Sequence, residues 1–161
     1  MNDFSYEILD LSRFNELINL VSDVYSKMPR KEFWGGLDEN ELRILFNKPN
    51  YILGAFHNNK LIAFMSSYNP NINDLKDYGM DDFNPDDFIF LHGVMVHDEY
   101  RGNHLQEILG NKICEMTDKK YVLATVHPEN IASIKSLEKI GLKIYKTMNV
   151  PYGYRHIMIK E

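Results

Sequence analysis

Between Phe88 and Val96 the chain runs FIFLHGVMV, an apolar stretch of strand length. It then turns polar through EYRGN. Apolar positions return at Leu105, Ile108, Leu109, Ile113 and Met116, one face of a helix. The pattern therefore predicts strand, polar turn, helix. Upstream, Phe4 to Leu9 predicts a short first strand. Phe14, Leu17, Ile18, Val21 and Val24 recur at helical spacing, with Asp10 or Ser12 as cap and Pro29 near the end. Residues 29–37, PRKEFWGGL, read as a loop carrying bulky aromatics. Asp38 with Glu41 resembles a capping box opening a short helix, with Leu42, Leu45 and Phe46 on one face and Pro49 closing it. Tyr51 to His57 and Leu61 to Tyr68 flank Asn58, Asn59 and Lys60. Asparagine tolerates positive φ, so a tight hairpin is expected. Residues 69–87 are polar and rich in Asp, Asn and Pro, and read as a long functional or mobile connection. Tyr121 to Val126 is nearly all apolar, as a buried parallel strand should be. A helix follows, with Asn130 as cap, Ile131, Ile134 and Leu137 inward, and Gly141 as its stop. Leu142 to Met148 and Tyr154 to Lys160 predict a final strand pair.

The resulting order is β α α β β β α β α β β. The central β-α-β unit implies two parallel strands joined by a crossover, flanked by hairpins. The expected fold class is a mixed α/β sheet in one domain, residues 1–161. Composition agrees: 161 residues with 44% hydrophobic content can build a core. The formal charge of −5, with no Lys/Arg run, argues against nucleic acid as a partner. The single cysteine, Cys114, permits no intramolecular disulfide, which suits a reducing cytoplasm. The acidic MNDFSYEILD start lacks a signal-peptide core, and no apolar run approaches a membrane span. A soluble cytoplasmic protein is expected, monomeric or homodimeric.

The polar turn carries the chemistry. A helix N-terminus offers unpaired N–H groups and partial positive charge, so an anion such as phosphate sits well there. Gly102 allows close backbone approach and Arg101 adds a charge-assisted contact. An ordinary β-to-α turn with a surface arginine is the other reading. Other phosphate motifs are missing, as are the common metal and serine-nucleophile motifs. His97 and His104 have no evident third ligand, so no metal is expected.

GVMVHDEYRGNHLQEIL, Gly93 to Leu109, resembles the acetyl-coenzyme A segment of the GNAT superfamily of N-acetyltransferases. The pattern there is Val-x-x-x-x-(Arg/Gln)-x-x-Gly-x-(Gly/Ala). Val96 and Arg101 match, whereas His104 and Gln106 stand at the two glycine places. A second segment, Ala124 to Leu142, resembles the family's next strand and helix, matching at Asn130, Ser133, Glu138, Lys139, Gly141 and Leu142. RGN-x-LQ and TVHPEN are similar to an uncharacterised bacterial subgroup. The element order resembles the family's across the whole chain.

The resemblance implies a GNAT-like sheet, mostly antiparallel with a central parallel unit, and acetyl-CoA as acetyl donor without a metal. Backbone N–H groups of Gly102, Asn103, His104, Leu105, Gln106 and Glu107, with Arg101 nearby, are expected around the pyrophosphate. His104 is expected to keep an ordinary φ. Val94, Met95 and Val96 should pair with the pantetheine arm, with Asn130 and Ser133 also on the coenzyme. LHGVMVH resembles the strand of arylalkylamine N-acetyltransferases in which a histidine assists deprotonation, making His92 the candidate base. An imidazole titrates near neutrality, as that task requires. The family's proton-donating tyrosine falls at Leu137, which cannot donate. Tyr145, Tyr152 and Tyr154 are candidate acids, and none is chosen. Cys114 is a bystander rather than a nucleophile. The acceptor is expected among Tyr25, Phe33, Trp34, Tyr152 and Tyr154, with the aspartates of residues 74–87 drawing a cationic amine. It is a small molecule or a protein amine. The function implied is direct acetyl transfer to a primary amine in a ternary complex. A non-catalytic acetyl-CoA-binding module and a nucleotide-binding α/β protein are the alternatives.

Overall fold

A computed structural model describes residues 3–161. The hairpin at Asn58 and Asn59 organises the sheet. Both residues take positive φ, 52° and 61°, the twist that joins adjacent antiparallel strands in two residues. β1 (Ser5–Ile8) lies outside β2 (Tyr51–His57), which pairs with β3 (Lys60–Tyr68). β4 (Phe88–Val96) runs antiparallel to β3, and β5 (Tyr121–Val126) runs parallel to β4. The last hairpin is β6 (Lys143–Val150) and β7 (Gly153–Lys160), and β7 inserts beside β5. The order is β1-β2-β3-β4-β5-β7-β6, with a single parallel pair, as expected of a GNAT-like sheet.

Helices cover both faces. α1 (Phe14–Lys27) and α2 (Glu39–Ile44) bury Leu17, Leu20 and Leu42 against Ile52, Phe64 and Met95. Asp10 caps a one-turn lead-in to α1 by accepting from Ser12 N at 2.9 Å. Asp38 caps α2 by accepting from Glu41 N at 2.8 Å, but the return bond of the expected capping box is absent. On the other face α4 (Leu105–Met116) and α5 (Ile131–Ile140) bury Leu109, Ile113, Ile134 and Leu137 against Leu53, Met65 and Ile89. Gly141 stops α5 at φ 114°. Ile131 and Met116 differ from expectation: both are exposed, at the ends of their helices where the apolar face has run past the sheet.

The 69–87 connection is not structureless. It contains α3 (Ile72–Asp77), opened by a reciprocal capping box. Asp74 N donates to Asn71 Oδ1 at 2.9 Å, and Asn71 N donates to Asp74 Oδ2 at 2.8 Å. Leu75, Tyr78 and Met80 fix it by filling a third core with Phe88, Phe90, Leu123 and Ile157. Among the described residues no helix is long and apolar enough to cross a membrane.

Candidate active site

The parallel pair is short. β4 and β5 are in register only at Phe88–Phe90 against Tyr121–Leu123. Beyond that, β4 stays on β3 while Ala124, Thr125 and Val126 pair with β7. The cause is visible in β4. Leu91 pairs with Ser67 and Gly93 with Ser66, so His92 is the extra residue of a bulge. A bulge bends its strand and re-aims its side chains. The strands part at this point, and the β5-facing backbone groups of β4 are left open to a cleft of about 710 Å³. Leu91 to Val96 border one side of it and Ala124 to Val126 the other.

At one end lies the polar turn. Gly102 has φ +85°, and Arg101, Gly102, His104, Leu105 and Gln106 all border the cleft. His104 corrects an expectation. Its φ is +57°, the left-handed region, so the helix start here does not keep an ordinary backbone. That is the physical reason a glycine suits this place, and histidine is among the residues that tolerate it. The His104 side chain points outward, 3.8 Å from Glu107. Gln106 Nε2 donates to Ser133 Oγ at 2.8 Å, and Asn130 Oδ1 accepts from Ser133 N at 3.3 Å. Both helix starts thus converge on the cleft. Asn103 instead donates to Tyr100 O at 2.9 Å, and neither it nor the Glu107 side chain borders the cleft. Arg101 pairs with Asp98 at 3.2 Å in solvent.

In the middle stands His92. Its ring lies 5.2 Å from that of Tyr68 and 5.0 Å from that of Phe90. Nδ1 is buried and has no partner in the protein. Burial pushes its pKa below the ordinary value, against a smaller opposing pull from Asp74. The ring is therefore held neutral near pH 7, and it borders the cleft while Nδ1 is enclosed without a hydrogen bond.

The same cleft is bordered by a phenol. Tyr152, in the β6–β7 turn, makes hydroxyl contacts with Thr125 Oγ1 at 2.7 Å and Tyr78 OH at 2.9 Å. Burial raises the pKa of both tyrosines, so both stay protonated. Leu137 is packed in the α4–α5 core yet borders the same cleft. The other candidate acids lie elsewhere: Tyr145 is 51% and Tyr154 52% exposed, and neither borders the cleft.

The far end is walled by Phe33, Trp34 and Tyr152, by Asp74 and Asp77 of the acidic connection, all of them sequence candidates, and by Tyr78 and Arg155, which were not singled out. Tyr25 and Tyr154 do not join them: Tyr25 is 39% exposed beneath Lys31. The signal for the α3 contribution was present as Asn71-x-x-Asp74 followed by Leu75 and Tyr78 at helical spacing. Cys114 is half-buried on α4, with its thiol pKa raised by burial, as befits an unreactive residue. Among the described residues no three His, Cys, Asp or Glu side chains gather as a metal site.

A mixed sheet whose one parallel pair opens at a bulge, next to an anion-ready helix start, defines a transferase of the coenzyme A type. The chain belongs to the acetyltransferase (GNAT) family, whose sequence model matches residues 14–142. It is an acetyl-CoA-dependent N-acetyltransferase. A GNAT-family acetyltransferase from Streptococcus pneumoniae has the same fold, with TM-score 0.75 at 16% identity over 98% of each chain. So does a ribosomal-protein-S5-alanine acetyltransferase from Vibrio fischeri, with TM-score 0.74 at 13% identity over 99% of this chain and 93% of that one. The aminoglycoside acetyltransferase AAC(6')-Ib, in complex with coenzyme A and kanamycin, gives 0.70 at 14% identity over 98% and 94%. No curated protein matches the sequence.

Proposed function

We propose that the protein moves an acetyl group from acetyl-CoA to a primary amine by direct attack in a ternary complex, as a single domain working in the cytoplasm. The observation that carries this is the continuity of the cleft. It runs from the polar turn, between the parted strands, to an acidic and aromatic far end. The pyrophosphate lies at the N–H groups of Gly102 to Gln106. The pantetheine arm adds to the open edge of β4 at Val94 to Val96, as a strand would. Gln106, Asn130 and Ser133 hold the two helix starts around it.

The acceptor amine enters at the far end, where Asp74 and Asp77 favour its cationic form. His92 removes its proton, directly or through one water. The amine lone pair attacks the thioester carbonyl carbon and the C–S bond breaks. The leaving thiolate takes the Tyr152 hydroxyl proton, Thr125 and Tyr78 hold that hydroxyl in line, and the second proton that the nitrogen loses in becoming an amide passes through water to restore the phenol. Tyr152 thereby does from the β6–β7 turn what Leu137 cannot do from α5. The neighbour solved with kanamycin supports a small polyamine as a second acceptor class. The test is release of free thiol from acetyl-CoA across a panel of primary amines, wild type against His92→Gln. Turnover with at least one amine, reduced on the order of 10²-fold in the variant, is expected. Coenzyme binding with no thiol release from any amine contradicts the catalytic reading and leaves a binding module.

A further inference from the structure

The far end of the cleft holds a buried cation without an acid. Arg155, on β7, is 3% exposed and borders the cleft with Trp34, Gly35 and Tyr152. Its Nη2 donates to Glu32 O at 2.7 Å and its Nη1 to Tyr154 O at 2.9 Å. Both acceptors are neutral carbonyls. Among the described residues no carboxylate lies within ion-pair distance of the guanidinium. The Glu32 carboxylate, which is nearby, is bonded to Arg30 instead. Arg30 also borders the cleft, but it is shared between Glu32 and Glu129 and so has its counter-charge.

The Glu32 carbonyl ties loop 31–33 to β7 and the Tyr154 carbonyl belongs to β7 itself, and neither neutralises a charge. A buried guanidinium without a counter-ion is costly. Its fork of donors is only partly used, and Nε–H has no protein partner. A planar fork with spare donors at a cleft wall fits an oxyanion, and a carboxylate is the planar one. The opposite charge borders the same cleft, at Asp74 and Asp77. The Arg155 guanidinium carbon lies 5.4 Å from the centre of the Tyr152 ring, and neither aspartate pairs with it. One end of the cleft thus offers a site for a carboxylate and, elsewhere on its wall, carboxylates for an ammonium group.

We propose that Arg155 binds a carboxylate of the acceptor, so that the amine acetylated is a small amino-carboxylate of the amino-acid class. This deepens the acetyl-transfer reading and rests on it. The guanidinium receives its counter-ion from the substrate, and a simple alkylamine leaves it uncompensated.

Trp34 supplies the readout. It is the only tryptophan in the chain and it borders this end of the cleft. The full chain, saturated with coenzyme A, is titrated by fluorescence with matched pairs: 5-aminovalerate against pentylamine, and phenylalanine against phenethylamine. The amino-carboxylate of a pair is expected to bind at least about tenfold more tightly. Arg155→Met should erase the difference and Arg155→Lys should keep part of it. Coenzyme A affinity by calorimetry should be unchanged in both, which also certifies that the variants fold. Equal binding within both pairs, no saturable response from any member, or a preference that survives Arg155→Met would overturn the proposal. So would a loss of coenzyme A affinity in Arg155→Met with the preference intact, which would assign the guanidinium to the coenzyme. Failure of the acetyl-transfer reading looks different: amino-carboxylates bind and depend on Arg155, but no thiol is released.

Discussion

At the scale of single residues the proposed proton transfers fall to His92 and Tyr152. His92 is held neutral by burial between Tyr68 and Phe90, so in the proposed role of base it need not first lose a proton. Its active form is the neutral one, and its pKa is lowered. The kcat/KM profile should therefore stay flat through neutral pH and fall only below the ordinary histidine range of about 6.5. His92→Gln should remove that acid limb as well as rate. The same shift affects stability. The unfolded chain binds the proton first, so the contribution of His92 is complete above about pH 6.5 and is lost as pH falls toward the folded value. Denaturant titrations at pH 7.5 and 5.5 should show wild type losing more stability between them than His92→Gln. Equal losses would mean that the ring is not held neutral. Tyr152→Phe should lower kcat on the order of 10²-fold while acetyl-CoA affinity holds, and unchanged kcat would remove it as the acid. His92 was legible in the chain as one polar residue inside an apolar strand. Tyr152 was not separable from Tyr145 and Tyr154, because the three differ only in where the last hairpin points them. Arg155 was illegible, since a charged residue in a terminal strand looks like a solvated one until its neighbours are known.

At the scale of elements, the turn at residues 101–106 shows how local conformation and ligand binding are coupled. Gly102 and His104 both take positive φ, which turns the backbone ahead of the first N–H groups of α4. A β-branched residue resists that conformation. His104→Val should cost roughly 1–2 kcal/mol in chemical denaturation, whereas His104→Gly should be tolerated. If both substitutions are equally harmless, the left-handed conformation at residue 104 is wrong. The strand, turn and helix order was readable from periodicity, and so was the Asn58–Asn59 hairpin. The conformation of His104 was not, because tolerance of positive φ at a histidine is a weak local preference decided by the turn. α3 was missed for a different reason. Its polar residues outweighed Leu75 and Tyr78, although Asn71 and Asp74 carried the capping signal, and Leu75, Tyr78 and Met80 hold it through a core contributed by distant strands.

At the scale of the whole molecule, the site exists because the sheet is incomplete. Three pairs of residues join β4 to β5, and beyond them the coenzyme is expected to fill the gap. Which strands are present was legible in the chain. That β7 inserts beside β5, and how soon β4 leaves β5, were not, because strand pairing depends on partners far apart in sequence. The insertion brings Tyr152 and Arg155 to the same cleft as His92, so the end proposed for the acceptor is assembled from α3, β4 and the last hairpin together. The central claim is that acetyl-CoA occupies this gap with its phosphates at the turn. Calorimetric titration with acetyl-CoA tests it most directly, on wild type and on the double variant Arg101→Ala with Gly102→Pro. Proline cannot adopt φ +85°, so the variant removes the cradle while leaving the rest of the cleft. Binding by wild type, lost in the folded variant and not reproduced by adenine nucleotides lacking pantetheine, is the predicted result. Equal binding by the variant, or no binding by wild type, would contradict the account.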